Sequence, residues 1–119
     1  MGIREAKTVF DFDLRVGLRV GEGRVVRHGR MRPATALDEL EVLEDFRVFV
    51  DPGSITPLLL ARCIEFDGVD QVRPSTLDCL TLLDLRLLED LYRRINGYPP
   101  RRVREQNELH NKNEIAGSW

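Results

Sequence analysis

Residues 8–32 read TVFDFDLRVGLRVGEGRVVRHGRMR, and this stretch decides the fold class. Its first half alternates apolar with charged residues, which is the period-two pattern of a strand with one face in water. The glycines of residues 21–23 tolerate positive φ, and an extended pattern resumes after them. The stretch therefore predicts a β-hairpin over residues 9–20 and 24–32, with a bulge at Gly17. The predicted buried face of the first strand consists of Phe10, Phe12, Leu14 and Val16.

A hairpin alone is marginal in water, so we expect its apolar face to rest on helices. Thr35 and Asp38 have the spacing of a capping box at the start of a first helix. A second helix is predicted over residues 55–66, where apolar side chains cover nearly the whole circumference. The patterns together predict an α+β fold in which an N-terminal antiparallel β-hairpin packs on a bundle of three to four helices. The apolar stripe of the first helix consists of Leu37, Leu40, Val42, Leu43 and Phe46.

The last helical segment, residues 75–97, is either one helix or two helices joined near Thr81. Its apolar residues extend round about half of the helix at about 100° per residue, which is wider than one core contact requires. This surplus predicts a surface for a protein partner, and the alternative is that the hairpin covers the second side of the helix. The residues predicted for the partner surface are Leu85, Leu88, Tyr92 and Ile95.

Two charged residues lie in apolar surroundings. Arg62 belongs to the most apolar helix, and Asp84 falls inside the apolar arc of the last one. A pair between them would explain both positions, because an isolated buried charge is far more costly than a paired one. The alternative is that Asp84 caps a helix that begins near Leu85 while Arg62 extends along its own stem to solvent.

Composition limits the class of protein. The chain has 119 residues, of which 42% are apolar and 32% charged, so we expect one domain over residues 1–98 and a polar segment over residues 99–119. A net charge of −2 is not that of a nucleic-acid binder. No leader pattern and no apolar run of roughly 18–20 residues are found, so a cytoplasmic protein without a membrane span is expected. Cys63 and Cys79 lie in apolar helical patterns, which predicts buried, reduced thiols.

Motifs of catalysis and of cofactor binding are not found in the sequence. His28 and His110 lack the Cys and His spacing of a metal site, and the glycines of VGEGRVV belong to the predicted turn. Asp11 and Asp13 are predicted on the wet face of a strand. We therefore predict no catalytic, cofactor-binding or metal-binding residue, and an enzyme is the least supported class.

The segment after Tyr98 concentrates basic residues. Arg101, Arg102 and Arg104 could contact nucleic acid or an acidic partner, but without interleaved aromatic residues a solvated cluster is the favoured interpretation. Trp119 indicates that this segment docks on the body of the chain or on a neighbouring subunit of a homo-oligomer, because an indole left in water is unusual.

Three blocks of this sequence together resemble a known family. They read GEGRVVRHGRMRPATALDELEVLEDFRV, ITPLLLARCIEFDGVDQVRPSTLDCL and LLDLRLLEDLYRRING, within residues 10–97. The shared features are a hairpin turned by glycines, MRxATxxDE at Met31–Glu39, LLAR at Leu59–Arg62, and DLxxLxxLYRRIN at Asp84–Asn96. In their order and spacing they are similar to the small tail assembly proteins, or tail assembly chaperones, of contractile phages and of phage-tail-like contractile injection systems.

The resemblance implies a non-enzymatic role while a tail is built. Such proteins are thought to hold the long helical tape-measure protein while tube subunits polymerise round it. A helix with surplus apolar surface suits this role, because an amphipathic partner helix binds in an apolar groove through residues three and four apart. Two alternatives stay open: a permanent baseplate or tube subunit whose hairpin adds strands to a neighbour, and a small regulatory module that binds nucleic acid through its arginines.

Overall fold

The computed structural model of the chain describes residues 9–98, which form a three-stranded antiparallel sheet and five α-helices. The predicted α+β fold with an N-terminal hairpin is confirmed. The segment 99–119 lies outside the described residues, and so do the predictions for its arginines, His110 and Trp119. In chain order the elements are β1 (Phe10–Arg19), β2 (Val25–Met31), α1 (Ala36–Leu43), α2 (Phe46–Val50), α3 (Ile55–Cys63), β3 (Ile64–Phe66), α4 (Pro74–Leu77) and α5 (Leu82–Ile95).

Strands β1 and β2 form the predicted hairpin around a turn at Gly21–Gly23. Beside the turn the register pairs Arg19 with Val25. Gly23 has a φ of +73°, a left-handed conformation that other residues adopt only at a cost. Gly23 therefore has the conformation that the sequence suggested, whereas Gly21 does not, and Glu22 between them has a φ of +63°.

The pairing of β1 with β2 is interrupted between residues 13 and 18. Such an irregularity changes which residues face the core, because inserted residues alter the alternation of side chains along a strand. Phe12 and Leu14 are buried as predicted. The prediction for Val16 is wrong, since it is 48% exposed, and Leu18 is buried in its place at 2%.

Strand β3 replaces the end of the helix that was predicted to reach Phe66. Helix α3 ends at Cys63, and Ile64–Phe66 pair antiparallel with β2. These three residues alternate buried, exposed and buried, as expected for a strand with one face in water. The physical reason is that the second edge of β2 gains a partner, and three strands are more stable than an isolated hairpin.

Gly29 lies in the middle of the sheet, opposite Phe12 of β1 on one side and Phe66 of β3 on the other. The two phenyl rings pack edge to face, with centroids 5.7 Å apart. A Cβ atom at Gly29 would lie 2.3 Å from the backbone oxygen of Glu65 and 2.6 Å from the Phe12 ring. The close approach of these groups therefore requires glycine.

The core lies between the sheet and the helices α3 and α5. Helix α1 begins with the predicted capping box of Thr35 and Asp38, and the segment after residue 73 forms two helices, α4 and α5. Both cysteines are free. Cys63 is buried as predicted, whereas Cys79 is exposed because α4 ends before it. The buried core residues are Phe12, Leu14, Leu18, Val26, Met31, Leu60, Ala61, Cys63, Ile64, Phe66, Leu77, Leu88 and Tyr92.

Candidate protein-binding surface

The residues predicted to form a partner surface on α5 lie mainly against this chain's own core. Leu88 has no exposed surface, so it cannot contact a partner in this conformation, and Tyr92 is only 8% exposed. Leu85 and Ile95 are half-buried. The physical reason is that α5 contacts β1, so that the hairpin covers the second side of the helix. The alternative considered for this helix, in which the hairpin covers its second side, therefore describes the structure.

The predicted ion pair between Arg62 and Asp84 does not form. The guanidinium of Arg62 donates from Nε to Asp38 Oδ1 at 3.1 Å and from Nη2 to Glu41. Asp84 accepts from the backbone of β1 instead. The alternative prediction for Asp84 is also wrong, because α5 begins at Leu82 and Thr81 caps it. Arg62 and Asp84 therefore both have hydrogen-bond partners, but they do not pair with each other.

Three consecutive backbone N–H groups of β1 converge on the carboxylate of Asp84. Arg15 donates to Oδ1 at 2.7 Å, and Val16 and Gly17 donate to Oδ2 at 3.0 and 2.8 Å. Gly17 has a φ of +105°, which belongs to the interrupted part of β1. Burial by itself raises the pKa of Asp84, but the three N–H donors outweigh it, so the pKa lies below its usual range. The carboxylate thus holds β1 against the start of α5.

Asp38 is the centre of a second buried network. The guanidinium of Arg32 donates to both of its oxygens, at 2.7 and 3.1 Å, in a bidentate pair. Arg62 donates to Oδ1, and the amide and hydroxyl of Thr35 donate to Oδ2 at 2.7 and 3.0 Å. These donors, with the Arg32 guanidinium first, hold the pKa of Asp38 well below its usual range. The network joins the end of β2, the start of α1 and the end of α3.

The three sequence motifs that carry the family resemblance meet around the start of α1. Arg32 also donates to the backbone oxygen of Arg62 at 3.0 Å, which joins the first motif to the second. The amide of Ala34 donates to Asn96 Oδ1 at 3.0 Å, which joins the first motif to the third. Asn96 in turn donates to the backbone oxygen of Tyr92 at 2.8 Å. The motifs therefore hold α1 in a fixed position on the body of the molecule.

Helices α1 and α2 expose most of their large apolar side chains. Val42 is buried and anchors α1, but the rest of the predicted stripe points away from the core. The rings of Phe46 and Phe49 lie beside each other with centroids 6.3 Å apart. A spacing of three residues indicates a stripe but not which way it faces, so sequence reasoning missed this surface. We call it the 37–50 face, and its side chains, each between 50% and 84% exposed, are Leu37, Leu40, Leu43, Phe46, Phe49 and Val50.

A groove of about 610 Å³ lies between α3 and α5. Two of the predicted partner residues, Leu85 and Tyr92, line it together with Leu59 and Leu60. Burial raises the pKa of Tyr92 to about 12, so its hydroxyl stays protonated at neutral pH. The charged residues that line this α3–α5 groove are Glu39, Asp78, Glu89 and Arg93.

His28 lies on the outer face of the sheet, within a group of charged side chains. Its Nδ1 is 2.9 Å from Asp67 Oδ2, and Arg30 donates to the other oxygen of Asp67 at 3.0 Å. These two neighbours, His28 first, lower the pKa of Asp67. Asp11 and Asp13 are exposed on the same strand pair, as predicted. The outer face of the sheet is therefore polar and open to solvent.

Residues 9–98 have no features of a metal site or of a membrane-spanning helix. These residues contain no cluster of three or more His, Cys, Asp or Glu side chains that could hold a metal ion. None of their helices combines the length and the apolar character needed to cross a membrane. Comparisons of the chain with protein families, with curated proteins and with solved structures find no match.

Proposed function

We propose that this chain is a non-enzymatic assembly factor of a contractile phage tail or of a phage-tail-like injection particle, which holds the tape-measure protein while the tube is assembled. The observation that carries the proposal is the 37–50 face, where six large apolar side chains are at least half exposed. A concentration of this kind on a small chain is typical of a protein-binding surface. The order of the three sequence motifs supports the role in tail assembly.

Phe46 and Phe49 are the best candidates for the central contacts of this surface. They are the two most exposed residues of the 37–50 face, and their rings lie side by side. Complete burial of an apolar side chain of this size contributes about 1.5–3 kcal/mol. Aromatic residues packed into a partner's pocket commonly account for much of the binding energy.

The partner chemistry that fits the face is an amphipathic helix with basic residues beside its apolar stripe. Glu41 of α1 and Glu44, which follows the helix, are exposed next to the apolar residues, and Glu41 also accepts from Arg62. Charge complementarity at the rim selects a partner with Lys or Arg there and speeds association. A helix binds such a surface through side chains spaced three and four apart. This surface, rather than α5, is where we expect the tape-measure protein to bind.

The position of α1 favours binding without a large rearrangement. Asp38, Arg32 and Arg62 hold the first turn of α1 through the buried network described above. A surface that is already ordered loses less conformational entropy when a partner binds.

The proposal is tested by co-expressing the chain with a tape-measure protein encoded beside it and measuring how much of that protein stays in solution. Leu40→Asp and Phe46→Asp should each lower the soluble fraction at least several-fold, because each places a charge inside the apolar contact. Leu82→Asp is the matched control, since Leu82 is as exposed, at 63%, but lies outside the face. If the tape-measure protein were equally soluble with all three variants, the 37–50 face would not be its binding surface.

A permanent baseplate or tube subunit is the second candidate. The observation that favours it is that β1 and β3 form the two edges of the sheet, where a neighbour could add a strand. Quantifying the chain in purified particles separates the two roles. A chaperone should be absent or far below the amount of tube subunit, whereas a permanent subunit should be present in a fixed ratio.

A further inference from the structure

We propose that residues 99–104 dock in the α3–α5 groove of the same chain. The proposal concerns a different surface from the 37–50 face and does not depend on the proposed function. Three observations carry it: where the described chain ends, the charges that line the groove, and the apolar floor of the groove.

The described chain ends at the groove itself. Gly97 has a φ of +81°, and the amide of Tyr98 donates to the backbone oxygen of Arg93 at 2.7 Å. This pattern is a Schellman motif, which turns the chain back along the helix that it has just left. Tyr98 lines the groove, and its ring stacks on that of Tyr92 with centroids 6.4 Å apart. The described part of the chain therefore ends at the groove, with Tyr98 on its lining.

The charges of the groove and of the following segment are complementary. Three carboxylates, those of Glu39, Asp78 and Glu89, line the groove, against one guanidinium, that of Arg93. Residues 99–104 read PPRRVR, with three arginines and no acidic residue. Opposite charges brought together at a partly enclosed surface attract each other more strongly than they do in bulk water. The groove is thus suited to a basic peptide, and the nearest basic peptide is the one attached to Tyr98.

The length and composition of the segment also fit the groove. Helix α3, with nine residues, is roughly 14 Å long, and six extended residues reach roughly 20 Å. Residues 99–104 can therefore follow the whole of α3. Val103 can supply an apolar side chain to the floor formed by Leu59, Leu60 and Leu85. The fixed φ of two prolines lowers the entropy lost on docking.

Cys79 permits a direct test in the full-length protein. It is exposed and adjacent to Asp78 of the groove, whereas Cys63 is buried, so a thiol-reactive spin label attaches to Cys79. We expect this label to broaden the amide signals of residues 101–104 in a nitrogen-15 spectrum. The triple variant Arg101→Glu, Arg102→Glu, Arg104→Glu should lose most of the broadening. Adding Glu39→Arg and Asp78→Arg to that variant should restore it, because the charges are then exchanged.

Two controls decide where the segment lies. A label moved to exposed Arg19, as Arg19→Cys with Cys79→Ser, should broaden residues 101–104 less than the label at Cys79 does, because Arg19 does not line the groove. Equal broadening from both labels would overturn the proposal, and so would none from Cys79. In a mixture of labelled unenriched chains with unlabelled enriched ones, we expect no broadening. Broadening in that mixture would mean that the segment docks on a second copy, which also contradicts the proposal.

Discussion

Asp38 and Asp84 are the charged side chains that are buried within residues 9–98, and they are stabilised in different ways. Asp38 has two guanidiniums as partners, whereas Asp84 has backbone amides of β1. A buried carboxylate is tolerated only when its lone pairs are satisfied, because the cost of removing it from water is otherwise several kcal/mol. Asp38 therefore links the end of β2, the start of α1 and the end of α3, and Asp84 links β1 to α5.

Replacing Asp84 by Asn should destabilise the fold by about 2–4 kcal/mol. An amide has one acceptor oxygen, so at least one of the three N–H groups of β1 would face an NH₂ group instead of an oxygen. Urea unfolding measures the loss. Asp13→Asn makes the same chemical change at an exposed position of β1 and should alter stability by no more than about 0.5 kcal/mol. Similar losses in both variants would contradict this role of Asp84.

The stability of the protein should fall in acid through Asp38. Its pKa is lowered in the folded state, mainly by the Arg32 guanidinium, so its contribution is complete above the unfolded pKa of about 4. That contribution is lost as the pH falls below about 4 towards the folded pKa. The free energy of unfolding, measured between pH 7 and pH 3, should therefore fall more steeply for the wild type than for Asp38→Asn. Parallel curves would show that the network does not lower this pKa.

Sequence reasoning could identify Arg62 and Asp84 as charges that need partners, but it could not find those partners. The N–H groups that bind Asp84 are 67 to 69 residues away in the sequence. They are available only because β1 is irregular there, and a backbone amide has no signature in the sequence. Asp38, the partner of Arg62, is easier to identify, because its spacing from Thr35 already indicates that it belongs to a helix cap.

At the scale of elements, the sheet depends on the central strand β2. Each edge of β2 pairs with a neighbour, and Gly29 permits the rings of Phe12 and Phe66 to meet across it. The hairpin and the capped start of α1 followed from their own local patterns. β3 did not, because an apolar run that includes Ile64–Phe66 is compatible with the end of a helix or with a short strand. Ile64–Phe66 form a strand because the second edge of β2 is free to pair with them, and this edge is known only from the fold.

Gly29→Ala should destabilise the sheet by about 1–3 kcal/mol. The added methyl group would overlap the backbone oxygen of Glu65 and the ring of Phe12, at 2.3 and 2.6 Å. Thermal unfolding followed by circular dichroism measures the effect. Gly21→Ala is the matched control, because a Cβ atom there meets nothing within 4 Å. An unchanged melting temperature for Gly29→Ala would mean that the three strands do not pack as described.

At the scale of the whole molecule, two surfaces adjoin on α1. Glu39 lines the α3–α5 groove, while its neighbours Leu37 and Leu40 belong to the 37–50 face. The wide apolar arc of α5 packs mainly against this chain's own core, and the exposed apolar side chains lie on α1 and α2 instead. Which side of an amphipathic helix meets the core depends on the packing of every element, so the period of the pattern cannot supply it.

The most direct measurement is amide hydrogen exchange of the chain, free and bound to the co-expressed tape-measure protein. Helix α2 has five residues and none of them is buried, so its amides should exchange quickly in the free chain. We predict that binding slows exchange within residues 36–50 and leaves exchange on the outer face of the sheet unchanged. Unchanged exchange in residues 36–50, with protection confined to the sheet, would contradict it.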